Sequence, residues 1–191
     1  MMDLALNPDF VQAMFDRISE FYLKLNRRIF EAAEGKVEIL LIGDDLGTQN
    51  GLIASPQMLQ KFVFPYLRKY THLCHEYNIK AMFHSCGSIR EVIPDLIEAG
   101  IDILNPIQAQ AKGMVPMELK QEFGSNLCFH GAVDVQQTMP KGTTEDVRYE
   151  VRQRIEVLGA EGGYILAPTH NFQTDVPIEN ILAFYEEADS L

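Results

Sequence analysis

The chain has little of several things, and each shortage removes a class of protein. Its 191 residues include three cysteines, Cys74, Cys86 and Cys128. That is an odd number without a paired framework, so disulfides are not expected and the thiols are read as reduced. No run nears the roughly 18 apolar residues of a membrane span, and Met1-Met2-Asp3-Leu4-Ala5-Leu6 carries no basic stretch of the kind that opens a signal peptide. A cytoplasmic protein without membrane partners is expected. Basic residues are outnumbered, 16 against 27 acidic ones, for a formal charge of −11, which opposes general attraction to nucleic acid. No Gly-X-Gly-X-X-Gly and no Gly-Lys-Ser/Thr loop follows any apolar run, so neither dinucleotide nor phosphate-loop binding is supported. Small-molecule chemistry or a protein partner is what these absences leave.

What is present is regular patterning. A 47% hydrophobic content over 191 residues is enough for a single domain, 1–191, with a real core. Phe10, Met14, Ile18, Phe21, Leu25 and Ile29 recur at helical spacing between an Asn7-Pro8 start and a Gly35 stop, which predicts one long amphipathic helix. Val37 to Ile42 is a short, nearly continuous apolar run, interrupted by Glu38 and ending in Gly43-Asp44-Asp45, as for a parallel strand buried on both faces. Ser55-Pro56 opens a helix to about Tyr77, and Ile79 to Phe83 is strand. Pro94 marks the first turn of a shorter helix ending at Gly100. Strands over 101–106, 127–132 and 164–167 then alternate with helices over 117–123, 143–158 and 177–188. Five strands alternating with helices imply a parallel sheet with outer helices. Two closures are open: a doubly wound sheet, or part of an eight-stranded barrel, with the missing nucleotide loops favouring the barrel.

The polar residues gather where strands end. His84 and Cys86, two apart on an extended segment, point the same way. With His170 at the end of the last strand they would make a three-ligand set for a catalytic zinc. The plainer reading is that Cys86 is a small buried hydrophobe and His84 a hydrogen-bonded core histidine. His72 and His75 share a helix face at i, i+3 but lack a third ligand at helical spacing, so a solvated face is the better reading. Asp44, Asp45 and His130 are candidates for catalysis or for orienting a metal ligand, and Asp44 or Asp45 for a further metal carboxylate. Asn105, Gln108, Asn171 and Gln173 are candidate substrate contacts. Asp134 reads equally well as a helix cap.

Three stretches resemble the uroporphyrinogen decarboxylase superfamily. They are Leu52-Ile53-Ala54-Ser55-Pro56-Gln57 with Phe64-Pro65-Tyr66-Leu67-Arg68, then Phe129-His130-Gly131-Ala132-Val133-Asp134, and Gly162-Gly163-Tyr164-Ile165-Leu166 with Pro177-Ile178-Glu179-Asn180. The resemblance implies a partial TIM (β/α)8 barrel, about the last five strands of eight. Such a piece would expose two sheet edges and an apolar interior, so a homodimer or an N-terminal-half partner is expected to cover them. His84-Ser85-Cys86 is similar to the His-X-Cys of the methyltransferase branch, whereas Pro168-Thr169-His170 puts histidine where that branch has its last cysteine. The implied activity is zinc-dependent methyl transfer between a corrinoid carried by a partner protein and a small-molecule thiol. Porphyrin or haem decarboxylation is the alternative; its octa-acidic substrate would call for cationic groups that these strand ends offer sparingly. A non-catalytic half-barrel subunit is the third reading.

Overall fold

The structure is a computed structural model that describes residues 2–190. Its elements are helices α1 (Met2–Leu6) and α2 (Pro8–Ala33), strand β1 (Ile39–Gly43), helices α3 (Pro56–Phe62) and α4 (Phe64–Glu76), strand β2 (Lys80–His84), helix α5 (Ile93–Glu98), strand β3 (Ile103–Ile107), helix α6 (Pro116–Phe123), strand β4 (Cys128–Val133), helices α7 (Thr138–Lys141) and α8 (Thr144–Leu158), strand β5 (Tyr164–Pro168) and helix α9 (Ile178–Asp189). The five strands form one parallel sheet in the order β1-β2-β3-β4-β5. Strands consecutive in the chain are neighbours throughout, whereas a doubly wound sheet reverses its order at a switch point. The winding is therefore that of a barrel segment. No described helix is long and apolar enough to cross a membrane.

The chain divides into two compact units of interleaved segments. The first comprises Met1–Ile42, Ala54–Met82 and Glu91–Asp102. In it, α2 meets α4 through Phe15 edge-on to Tyr66, Tyr66 donating to Asp16 at 3.0 Å, and Arg27 paired with Glu76 at 2.8 Å. Thr71 Oγ1 donates to the Ala99 carbonyl at 2.6 Å. Asp102 accepts from Lys80, from the Ala81 N–H and from His75. Burial alone would raise the Asp102 carboxyl, but the hydrogen bonds from Lys80, Ala81 and His75 together bring it below its ordinary value.

Three features of this unit differ from the sequence expectation. The helix expected from Pro56 to Tyr77 breaks at Val63, because Pro65 has no N–H to continue the ladder and its ring would meet the carbonyl four residues back. Strand β1 is not buried on both faces: Ile39 is 41% and Leu41 57% exposed, since β1 ends the sheet and one of its faces is uncovered. Helix α2 forms over the expected residues, yet its buried positions are Val11, Ser19 and Phe30, and the apolar stripe that predicted the helix is exposed.

The second unit comprises Gly43–Ile53, Phe83–Arg90 and Ile103–Leu191. Helix α8 starts on a capping box, in which Thr143 Oγ1 accepts from the Asp146 N–H and the Asp146 carboxylate accepts from the Thr143 N–H. Its Val147 and Val151 pack with Ala183 and Phe184 of α9 and with Val133 of β4 into one core. Strands β4 and β5 pair in unbroken register from Phe129 opposite Tyr164 to Val133 opposite Pro168. Between β3 and β4 the register slips between Leu104 and Ile107. Asn105 lies in that bulge, the kind of irregularity that re-aims a side chain.

Candidate metal centre at the strand ends

All the candidate site residues belong to the second unit. Asp45 follows β1, His84 ends β2, and Cys86 lies two residues on. One ligand atom from each falls within 4.8 Å of the others, the metal-competent cluster among the described residues. His84 Nε2 lies 3.7 Å from Asp45 Oδ1 and 3.7 Å from Cys86 Sγ. Ligands held at 2.0–2.3 Å around a tetrahedral zinc stand roughly 3.5 Å apart, so the donor set fits that ion in type and spacing. Three protein donors would leave one position open.

The local backbone is pinned to hold this arrangement. Side chains alternate in an extended segment, so Ser85 points away from the ligands. Its buried Oγ accepts the Leu46 N–H at 2.9 Å, tying the loop after β1 to the end of β2. The Cys86 N–H donates to Asp45 Oδ1 at 2.9 Å, and the Asp44 N–H donates to the His84 carbonyl at 3.0 Å. The two loops cross so closely that a Cβ on Gly87, at φ +87°, would stand 2.6 Å from the Thr48 carbonyl, and one on Gly47 2.8 Å from the Cys86 carbonyl. Only glycine fits either place. Gln108 is buried, and its carbonyl accepts the Gly87 N–H at 2.8 Å, bracing the turn after Cys86 from β3.

Hydrogen bonding also fixes the protonation pattern. Asn105 Oδ1 lies 2.5 Å from His84 Nδ1. A carbonyl oxygen only accepts, so Nδ1 carries the proton and Nε2 presents its lone pair to Asp45 and Cys86. The Asn105 amide donates to His130 Nδ1 at 2.6 Å, which puts the neutral proton of His130 on Nε2. Burial, with His84 second, holds His130 below its ordinary value, so it is neutral at pH 7. Burial and then the Asp45 charge push the Cys86 thiol up. Without a cation it keeps its proton, whereas a bound metal removes it. Asp44 has an exposed surface, yet crowding by the surrounding chain and the neighbouring Asp45 raise its carboxyl above the usual range.

The remaining sequence candidates lie elsewhere. His170 is exposed, outside the three-donor cluster, with Nδ1 3.3 Å from the Asn171 carbonyl. Asn171 and Gln173 share the same exposed loop after β5, where the Gln173 amide donates to the Asn171 carbonyl at 3.2 Å. Asp134 Oδ1 accepts from the N–H groups of Gln136 and Gln137, the cap reading. In the first unit, His72 pairs with Glu76 and His75 with Asp102, and among the described residues neither belongs to a group of three metal-competent donors. Sequence reasoning passed over Ser85, Gly47 and Gly87. The alternation that aligned His84 with Cys86 also puts Ser85 on the opposite side, but no sequence feature names its partner Leu46.

The family described as uroporphyrinogen decarboxylase (URO-D) has a sequence model that matches residues 1–191. A methylated-thiol–coenzyme M methyltransferase of Methanosarcina mazei is 25% identical over 179 residues, covering 93% of this chain and 44% of that protein. A solved structure of a methyltransferase from Methanosarcina mazei is similar with a TM-score of 0.77 at 20% identity, over 100% of this chain and 52% of that one. That likeness speaks for the fold. The chain spans about half the length of the relatives it matches.

Proposed function

Because the chain belongs to the uroporphyrinogen decarboxylase family, we propose that it works in methyl transfer to or from a small thiol, with zinc held by Asp45, His84 and Cys86 and the methyl group exchanged with a corrinoid on a partner protein. The observation that carries this reading is the carboxylate, imidazole and thiol donor set within 4.8 Å, built around the His-X-Cys that resembles the methyltransferase branch. The relative whose name specifies a methylated thiol and coenzyme M supports the same substrate class. Zinc at this position would lower the pKa of a thiol it binds, so that thiolate forms at neutral pH.

The chain's own residues do the rest. Asp45 and the deprotonated Cys86 supply negative charge, and His84 is oriented by Asn105 with its lone pair forward. His130, neutral and held through its Nδ1, offers an Nε2–H donor beside the site without adding positive charge. The sequence expectation places His170 among the ligands. The cluster geometry instead favours Asp45 in the third place, and a four-variant comparison decides between them.

Elemental analysis of the protein purified under reducing conditions tests the reading. About one zinc per chain is expected, lost in Asp45→Ala, His84→Ala and Cys86→Ala and kept in His170→Ala. Loss with His170→Ala and retention with Asp45→Ala would restore the His-Cys-His set. A metal-free wild type that takes up no zinc on titration would remove the metal reading altogether.

A further inference from the structure

One amide side chain joins two imidazoles at the strand ends. Asn105 Oδ1 lies 2.5 Å from His84 Nδ1, and Asn105 Nδ2 lies 2.6 Å from His130 Nδ1, so the same ring atom of each histidine meets an opposite end of one amide. The backbone holds the three together. The Asn105 carbonyl accepts at 2.8 Å from the N–H of Ser85, the residue between the donors His84 and Cys86. Strands β3 and β4 run close beside it, since a Cβ on Gly131, at φ +100°, would stand 3.0 Å from the Pro106 ring. A side chain there would press the strands apart where Asn105 reaches His130.

This linkage makes the two rings opposites. The amide oxygen only accepts and the amide nitrogen only donates, so the ring facing the oxygen carries its proton on Nδ1 and the ring facing the nitrogen has a bare Nδ1. A neutral imidazole has one N–H. One histidine therefore presents an Nε2 lone pair and the other an Nε2–H, and turning the amide over would exchange both roles at once. In the arrangement present, His84 has the lone pair. Metal binding at His84 Nε2 requires this arrangement, because the exchanged one puts a proton on the ligating atom. What His84 binds thus fixes the proton of His130. By linkage the effect is reciprocal: an acceptor atom placed on the His130 Nε2–H favours the arrangement in which His84 is ready for metal.

We propose that Asn105 is a positioning residue that couples metal seating on His84 to a donor-only role for His130. His130 then contacts an acceptor atom of the substrate, its sulfur or an anionic group near it, and neither takes up a proton at Nε2 nor joins the metal ligands. The coupling stands on the hydrogen-bond geometry alone; the substrate contact rests on the metal reading above.

Nitrogen NMR of protein labelled in its histidine rings tests the coupling first, on metal-free protein at about pH 8.5, where imidazoles are neutral. The two rings are assigned by the signals missing from His84→Gln and from His130→Gln. His84 is expected as the Nδ1–H tautomer and His130 as the Nε2–H tautomer. In Asn105→Asp both oxygens accept, so His130 should change to Nδ1–H while His84 keeps its form. The same tautomer on both wild-type rings, or a His130 that Asn105→Asp leaves unchanged, overturns the coupling. Zinc titration against a chelator tests the positioning. Asn105→Ala should weaken affinity about tenfold, and Asn105→Asp, which still orients His84, should restore it. Equal weakening in both variants would reduce Asn105 to packing and overturn its role. On the zinc-loaded wild type, ethanethiol should shift the His130 Nε2–H proton signal; an unchanged signal at saturating thiol overturns the substrate contact. A wild type with opposite tautomers that binds no zinc supports the coupling and removes the metal reading together with that contact.

Discussion

Two amphipathic helices, one in each unit, end with opposite faces toward water. Helix α8 carries Val147, Val151 and Leu158 inward, each fully buried, against partners such as Ala183 and Phe184. Helix α2 has the longer and more regular stripe, yet turns it outward and buries Ser19. Periodicity therefore reports that a helix has an apolar face; it does not say what covers it. In the second unit the cover is intramolecular. On α2 the stripe stays exposed, and the two cases differ in what a substitution should cost.

The largest expected effect sharpens that contrast directly. Phe184 is 3% exposed and sits in the core that α8 and α9 share, so Phe184→Ala should cost about 3–4 kcal/mol in urea unfolding, from lost burial and the cavity left behind. Phe21→Ala removes a ring of the same size that is 62% exposed. In dilute protein it should change stability by less than about 0.5 kcal/mol. Similar losses for both variants would mean that α2 buries its stripe within a single chain, and the comparison would fail.

Among the described residues of the second unit, the buried side-chain nitrogens and oxygens have hydrogen-bond partners except Glu150 Oε2, and Ser85 is the test case. Ser85→Ala removes the acceptor for the Leu46 N–H in a buried setting, which should cost about 1–3 kcal/mol. Leu46 adjoins Asp45 and Ser85 adjoins Cys86, so the same change should loosen the spacing of two donors. A roughly tenfold weaker zinc affinity in a chelator competition is expected. Unchanged stability with unchanged zinc affinity would show that neither loop depends on this bond.

Most of the scaffold was legible from the chain because it is written in local signals. Pro8 and Ser55-Pro56 start helices, short apolar runs mark strands, and the strand order follows once consecutive strands pair. The break at Val63 was in principle readable from Pro65, yet the apolar spacing continues through it and masks the interruption. At the site, His84 and Cys86 were visible because a two-residue spacing on a strand fixes a common direction. Asp44 or Asp45 could be named as a further metal carboxylate, but that Asp45 rather than His170 lies beside the pair was not readable, because it depends on two loops crossing at Gly47 and Gly87 with no spacing in the chain to encode it. The bulge that turns Asn105 toward both His84 and His130 was hidden for the same reason: a register slip belongs to a pair of strands, not to either one.

The smallest predicted effect concerns His130, whose burial keeps it below its ordinary value of 6.5. A histidine depressed in the folded state binds its proton more readily when unfolded. Folding stability should therefore be intact above about pH 7.5, and should decline as the pH falls through 6.5 toward the folded value. The slope from one such group cannot exceed about 1.4 kcal/mol per pH unit. His130→Gln retains an amide able to meet Asn105 but does not titrate in this range. Urea unfolding at pH 7.5 and pH 5.5 should show the wild type losing more stability on acidification than the variant, the other four histidines being common to both. Equal losses would mean that His130 carries its proton as readily in the folded chain as in the unfolded one, and the neutral donor assigned to it beside the metal centre would go with that result.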